Sequence, residues 1–168
     1  MKLMQFIIVL LLVSTSIMAQ LPGAGAGEAL ILKGLNKQLE DNVNPIIFPP
    51  FGVVVTDQIM KDQLEKYFPY IKAVVNAVHE KLPGYLVQVT GYANPPGDKD
   101  TPEAKQQAQR LSAQPARNVR AALVAKGLNG NVLSVVGAAD RDRVTASLGS
   151  DVEAWGKNRR VILKIVKR

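Results

Sequence analysis

The sequence contains no cysteine and a single histidine, His79, and these two scarcities exclude several kinds of site. Without cysteine the chain cannot form disulfides, and it lacks the residue to which the lipid of a bacterial lipoprotein is attached. One histidine and no cysteine leave a transition-metal centre without its usual ligands. We therefore expect no cofactor, no metal site and no N-terminal lipid, in a fold that is stabilised by a packed core.

Aromatic residues are scarce as well, at 5% of the chain, which is too few for the stacking platform that binds single-stranded nucleic acid. The sequence also lacks a nucleophile elbow, a phosphate-binding loop and a dinucleotide fingerprint. We therefore predict that it is not an enzyme and does not bind nucleic acid. The formal net charge of +7 favours an anionic glycan, lipid headgroups or an acidic protein as partner, although a merely soluble surface explains many of these lysines equally well.

A short apolar segment near the N-terminus, residues 6–13, follows Lys2 and precedes Ala19. This arrangement is typical of a secretory signal peptide that is cleaved after Ala19 or, alternatively, after Ala26. The segment is shorter than the about 20 apolar residues that span a bilayer, although an uncleaved anchor is the alternative interpretation. We therefore predict a signal peptide at residues 1–19 and an exported protein with no membrane span after cleavage.

Residues 20–44 are predicted to form a flexible lead-in that contains a short amphipathic helix over residues 28–40. Its apolar stripe includes three leucines at helical spacing, and a helix this short must dock to be stable: Leu32, Leu35 and Leu39. The pattern fits packing on the chain's own domain and binding of a partner equally well. Trp155, within a polar stretch, is a further candidate for partner binding, although packing over the core is the favoured interpretation.

Residues 45–168 show alternating strand and helix patterns, which predict one α/β domain with helices packed on a sheet. Pro69 lies inside the first predicted helix, and we expect it to kink or break that helix. The predicted elements are a strand at 46–55, a helix from Thr56 to Pro83-Gly84, a strand at 85–92, a helix from Thr101 to Lys126 that is stopped by Gly127, and strands at 132–136 and 160–166. Their order is β-α-β-α-β-(α)-β, with the bracketed helical turn in the polar stretch 138–156.

Four stretches within this order carry a resemblance to a known family. They are Val89-Thr-Gly-Tyr92 followed by Gly97, Leu111-Ser112 with Val119 and Leu123, Lys126-Gly127, and Asn158-Arg159-Arg160-Val161. In this order they resemble the OmpA-like domain, a periplasmic module with which outer-membrane and motor proteins hold peptidoglycan. The resemblance implies an α/β sandwich with helices on a mixed four-stranded sheet. Together with export, it implies a periplasmic, outer-membrane-associated location.

The resemblance also implies a ligand site, and this chain departs from it. The family holds the diaminopimelate of peptidoglycan with a carboxylate after the second strand and an arginine on the following helix. Those positions fall on Ala93-Asn94 and on Pro115, and a helix asparagine of the family falls on Ala108. Placing Arg117 in the arginine position would move Val119 and Leu123 out of register, so we reject that alignment.

The residues expected to bind peptidoglycan, if binding persists, are Asn94, Arg159 and Arg160, with Arg160 predicted to reach the same hollow as Pro115. An outward-facing cationic pair, bridged to nearby aspartates, is the alternative for the two arginines. Two functions follow. The domain associates with peptidoglycan and anchors an envelope assembly to the cell wall, or it has lost that ligand and acts as a scaffold subunit of an envelope-spanning machine, such as a secretion system or flagellar motor.

Overall fold

A computed structural model describes residues 24–47, 58–93, 101–139, 141 and 157–168. Within these residues the elements are α1 (Ala24–Asn42), β1 (Ile46–Ile47), α2 (Gln58–Lys81), β2 (Tyr85–Gly91), α3 (Pro102–Ala125), a 3₁₀ turn (Gly130–Val132), β3 (Leu133–Gly137) and β4 (Arg160–Lys167). The chain divides into two compact units, Met1–Gly34 and Leu35–Arg168. The described part of the first unit is helical, and its Leu30 side chain is exposed.

The four strands form one mixed sheet in the order β1-β4-β2-β3. Strand β4 runs antiparallel to both β1 and β2, whereas β3 runs parallel to β2. The parallel pair is joined through α3, as a crossover connection requires. The mixed α/β fold with helices packed on a four-stranded sheet is therefore confirmed.

The core lies between one face of the sheet and the helices α2 and α3. Alternate strand residues point to this face, because the side-chain period of a strand is two. Buried strand residues on it include Val87, Val89, Leu133, Val161, Leu163 and Ile165, and the buried helix residues opposite include Leu64, Ile71, Val74, Val78, Ala108, Val119 and Leu123. The helical spacing of the buried residues of α2 is the pattern from which that helix is predicted.

Both ends of α3 follow the predicted signals. The Thr101 side chain accepts a hydrogen bond from the Ala104 N–H at 3.2 Å, and Pro102 takes the first helical position, where the missing N–H is tolerated. Gly127 ends the helix with a φ of 91°, a conformation that glycine adopts without a steric penalty. The N-terminal cap and the glycine stop are confirmed.

Of the two outcomes expected at Pro69, a kink or a break of the helix, the break is wrong, because α2 continues through it from Gln58 to Lys81. Proline removes one main-chain donor and leaves the carbonyl of the residue four positions earlier, here Glu65, without its helical partner. Pro69 and Glu65 both lie on the exposed side of α2, where water can hydrogen-bond that carbonyl. Helix α3 likewise continues through Pro115.

Some predicted elements fall partly outside the described residues. Only Ile46 and Ile47 of the strand expected at 46–55 are described, and Thr56, Asn94 and Trp155 are not. Strand β3 begins one residue later than predicted, because the 3₁₀ turn takes up Val132.

Helix α3 lies unusually close to the sheet at two glycines that are paired across β2 and β3, Gly91 and Gly137. A Cβ on Gly91 would overlap the carbonyl oxygen of Ser112, and one on Gly137 would lie 2.5 Å from the carbonyl oxygen of Gln109. Both residues must therefore lack a side chain for the backbone of α3 to approach the strands in this way.

Amide side chains hydrogen-bond the outward-facing main-chain groups at the β1–β4 edge of the sheet. The Gln63 amide bonds both the N–H and the carbonyl of Ile47, at 3.0 and 2.9 Å, and the Asn44 amide does the same for Leu163, at 2.9 and 2.8 Å. Asn36 accepts the N–H of Ile165 at 2.9 Å. A side-chain amide carries the same donor and acceptor as a peptide group, so these three residues replace a neighbouring strand.

The second half of α1 therefore belongs to the domain itself. Asn36 binds β4, and the Leu39 side chain is completely buried. Leu39 is thus not available to a partner, which corrects its assignment as a partner-binding candidate. Leu35 is half-buried, and Leu32 lies in the first unit.

Replacing Gly91 with alanine is expected to lower the free energy of unfolding by at least about 2 kcal/mol, because the added methyl group overlaps the α3 backbone. Gly84→Ala is the matched control, since nothing lies within 4 Å of its added Cβ, and we expect it to change stability by less than about 0.5 kcal/mol. Urea unfolding measures both variants. Equal stabilities would contradict the close approach of α3.

Candidate functional site

Ser112, one of the residues that carry the family resemblance, fastens α3 to the end of the sheet. Its buried hydroxyl donates to the Gln109 carbonyl at 2.9 Å and accepts the Ala139 N–H at 3.0 Å. Ala139, which has a φ of 53°, in turn accepts the Ala93 N–H at 2.8 Å. The chain segments that leave β2 and β3 therefore start from backbone that is held in place by α3.

The described positions at which the resemblance places ligand contacts carry no charge. Ala93 and Ala108 are buried, and Pro115 is half-buried within α3. None of these side chains offers a hydrogen-bond donor or acceptor. Asn94, the remaining position, lies outside the described residues. The three described residues at the family's ligand positions are therefore all apolar.

Arg160 is 5% exposed, and its guanidinium carbon lies 4.2 Å from the centre of the Tyr92 ring. Its neighbour Val161 pairs with Gly91 on the face that α3 covers, so the side-chain alternation directs Arg160 to the opposite face. The main chain supports this pairing, since the Tyr92 N–H donates to the Arg160 carbonyl at 2.8 Å. The expectation that Arg160 shares a hollow with Pro115 is thereby corrected: the two lie on opposite faces of the sheet.

Arg159 differs from Arg160 in its surroundings. It is half-buried directly before β4, and withdrawal from water lowers the pKa of its guanidinium from the ordinary value. An arginine remains charged in spite of such a shift, so Arg159 can still bind a carboxylate at neutral pH. Asn158 beside it is buried. The aspartates that we considered as alternative partners, Asp140, Asp142 and Asp151, lie outside the described residues.

Arg117 lies away from the position that the resemblance gives to the ligand arginine. It lines a groove between α3 and β3, together with Arg110 and Ala113. This location agrees with the alignment that keeps Val119 and Leu123 in register, both of which are fully buried.

Sequence reasoning did not identify Tyr92 as the partner of Arg160. The only available signal was an aromatic residue directly after a predicted strand and an arginine at the start of another. Their contact depends on the register between β2 and β4, which a single sequence does not provide.

The described residues give no sign of metal chemistry or of a membrane span. No group of three or more His, Asp or Glu side chains comes together among them in a way that could hold an ion. His79 lies on the exposed surface of α2. None of the described helices combines the length and the apolar character that crossing a bilayer requires.

The stacking of Arg160 on Tyr92 is expected to contribute about 2 kcal/mol to stability, because the pair is withdrawn from water. A double-mutant cycle with Tyr92→Leu and Arg160→Met measures this coupling by urea unfolding. The control cycle uses Tyr67→Leu and Lys66→Met, a pair that is 5.4 Å apart on α2 with an exposed lysine. We expect about 0.5 kcal/mol or less there, and equal couplings would contradict the buried stack.

The comparisons with known proteins agree with this architecture. Similar solved structures include the C-terminal domain of Helicobacter pylori MotB, with 20% identity, 75% of this chain and 86% of that chain covered, and a TM-score of 0.50. The peptidoglycan-associated lipoprotein of Burkholderia pseudomallei has 19% identity, coverages of 73% and 89%, and a TM-score of 0.51. A MotB-like protein of Desulfovibrio vulgaris has 13% identity, coverages of 85% and 93%, and a TM-score of 0.53.

At these identities the structural likeness concerns the fold. No curated protein matches the chain. The model of the OmpA family, in contrast, matches residues 61–154, which is more than half of the 168 residues. The chain therefore belongs to the OmpA family.

Proposed function

We propose that the protein is a non-enzymatic structural component of the bacterial cell envelope, whose OmpA domain associates with peptidoglycan and anchors an envelope assembly to the cell wall. The observation that carries the proposal is membership of the OmpA family. The signal peptide expected at residues 1–19 would place the domain in the periplasm, where peptidoglycan is accessible. The net charge of +7 suits an anionic polymer.

The residues proposed to contact the stem peptide are Asn94 and Arg159. Gly91 pairs with Val161 across β2 and β4, so the end of β2 and the start of β4 lie side by side. Asn94 follows β2 by three residues and Arg159 directly precedes β4. In this arrangement Arg159 would pair with the carboxylate of the diaminopimelate, and Asn94 would hydrogen-bond its ammonium group.

The role proposed for Arg160 is to support this site from beneath. Its guanidinium is stacked on Tyr92, and its carbonyl accepts the Tyr92 N–H. Both contacts fix the relative positions of the β2 end and the β4 start. Arg160 thus positions Arg159 and is not itself a ligand contact in this proposal.

A second candidate is a scaffold subunit of an envelope-spanning machine that has lost peptidoglycan binding. The apolar side chains at Ala93, Ala108 and Pro115 favour it, because two charge-assisted bonds of about 1.5–3 kcal/mol each would be missing there. Candidates for partner contacts in that case are Leu32 and Trp155. Retention of the wild-type protein on purified peptidoglycan sacculi at low salt separates the two functions, since a scaffold alone is not retained.

Arg159→Ala is expected to weaken retention on sacculi about tenfold, which corresponds to the loss of one charge-assisted bond. Lys72→Ala, on the exposed surface of α2, removes the same charge and is expected to leave retention within about twofold. Thermal unfolding of both variants checks that the fold is retained. If the two variants lose retention equally, binding depends on net charge and not on Arg159.

The charged pair of the family can be rebuilt at the positions where it is missing. Asn94→Asp combined with Pro115→Arg is expected to strengthen retention on sacculi at least about tenfold, because both charges of the diaminopimelate then have a partner. The control combines Asn131→Asp with Ala121→Arg at exposed positions, which changes the net charge by the same amount. A gain in the control as well, or no gain in either, would contradict the assignment of these positions.

A further inference from the structure

A groove of about 420 Å³ runs between α3 and the edge strand β3. Its residues are Gln106, Gln109, Arg110, Ala113 and Arg117 on the helix and Val135 and Gly137 on the strand. It lies on a different flank of α3 from Pro115, which is about 200° around the helix from Arg117 at 3.6 residues per turn. The groove is therefore separate from the peptidoglycan site proposed above.

The strand side of the groove offers main-chain hydrogen-bonding groups. The Ala138 N–H donates to Gly91 of β2, whereas the Leu133 carbonyl accepts from Arg120 at 3.0 Å, on the other side of β3. Because successive residues of a strand direct these groups to opposite edges, those of Val135 and Gly137 point outward with Leu133. No described strand lies on that side, and no hydrogen bond from another described residue reaches these outward groups.

The two edges of the sheet thus differ. At the β1–β4 edge, the amides of Gln63, Asn44 and Asn36 hydrogen-bond outward-facing main-chain N–H and carbonyl groups. At the β3 edge, Arg120 hydrogen-bonds only the Leu133 carbonyl and the neighbouring Gly130 carbonyl. An unpaired strand edge is a template for another strand, and β3 carries no charged residue or proline that would oppose pairing.

The helix side of the groove is basic. Arg110 and Arg117 are exposed, and neither forms an ion pair with another described residue. Seven residues separate them, which is about 10.5 Å along the helix axis. Side chains on one face of an extended strand recur about every 7 Å, so acidic residues two or four positions apart come within reach of both flexible arginines.

We propose that this groove is a docking site for an extended acidic peptide segment of a partner protein, which adds to β3 as an outer strand. The outward groups of Val135 and Gly137 supply main-chain hydrogen bonds, and Arg110 and Arg117 select acidic side chains. This division of roles is the usual one when a peptide joins a sheet edge, where the main chain gives affinity and the side chains give specificity. The alternating donors and acceptors of the strand match a peptide backbone and not a sugar chain.

The first test uses a short synthetic peptide of alternating glutamate and valine with the full chain, at low salt. Arg110→Gln combined with Arg117→Gln is expected to weaken its binding at least about tenfold. The control, Lys61→Gln combined with Lys72→Gln, removes the same charge from exposed positions on α2 and is expected to change binding less than about twofold. No measurable binding to the wild type, or equal losses in both variants, would overturn the proposal.

A second test separates strand addition from simple attraction of anions, and it leaves the protein unaltered. Methylating alternate backbone nitrogens of the peptide blocks one of its two edges, so one methylated set should abolish binding and the complementary set should preserve it. The N–H groups of Val135 and Gly137 should also exchange with solvent at least about tenfold more slowly when the peptide is bound.

Two other occupants would each give a different result. Equal tolerance of both methylated sets, with inorganic polyphosphate competing for the groove, would show an anion site and reject the peptide. Self-association of the protein alone, lost in the double arginine variant, would identify a second copy of the chain as the occupant and likewise reject it.

Discussion

The close approach of α3 to the paired glycines Gly91 and Gly137 is the constraint on which the rest of the domain depends. Main-chain atoms of Ser112 and Gln109 occupy the space that side chains would take on these strands. This approach brings the Ser112 hydroxyl within hydrogen-bonding distance of Ala139, and it sets the height of α3 over β2 and β3. The position of the helix then determines both the proposed ligand end of the sheet and the groove beside β3.

The residues that carry the family resemblance are therefore mainly structural. Ser112, Val119 and Leu123 are buried, Gly127 ends α3, and Arg160 is stacked within the sheet. Positions of this kind specify the fold without specifying a ligand. A chain can keep them and still carry apolar side chains at Ala93 and Pro115, because the two sets of residues serve different requirements.

The sequence predicts what depends on local pattern. The periodicity of α2, the Thr101 cap and the Gly127 stop are local, and they appear within a residue or two of the predicted places. The continuity of α2 through Pro69 was missed, since it depends on which face of the helix is exposed.

The contacts that determine the candidate site are not local. The stack of Arg160 on Tyr92 requires the register of β4 against β2, and the Asn44 bonds to Leu163 join residues that are 119 positions apart. The choice of Asn94 and Pro115 as positions to compare with the family's ligand site came only from the family resemblance. Physical reasoning on one sequence had no means of locating them, because neither residue carries a distinctive charge or spacing.

The amide side chains at the β1–β4 edge of the sheet make its two edges unequal in their capacity to pair with another strand. The side chains of Gln63, Asn44 and Asn36 hydrogen-bond main-chain groups there that another strand would otherwise pair with. A protein whose sheet can be extended on both sides is able to stack into fibres, whereas one with a single extendable side stops after one addition. Among the described residues, the main-chain groups that remain for a further strand are therefore those on the outer edge of β3.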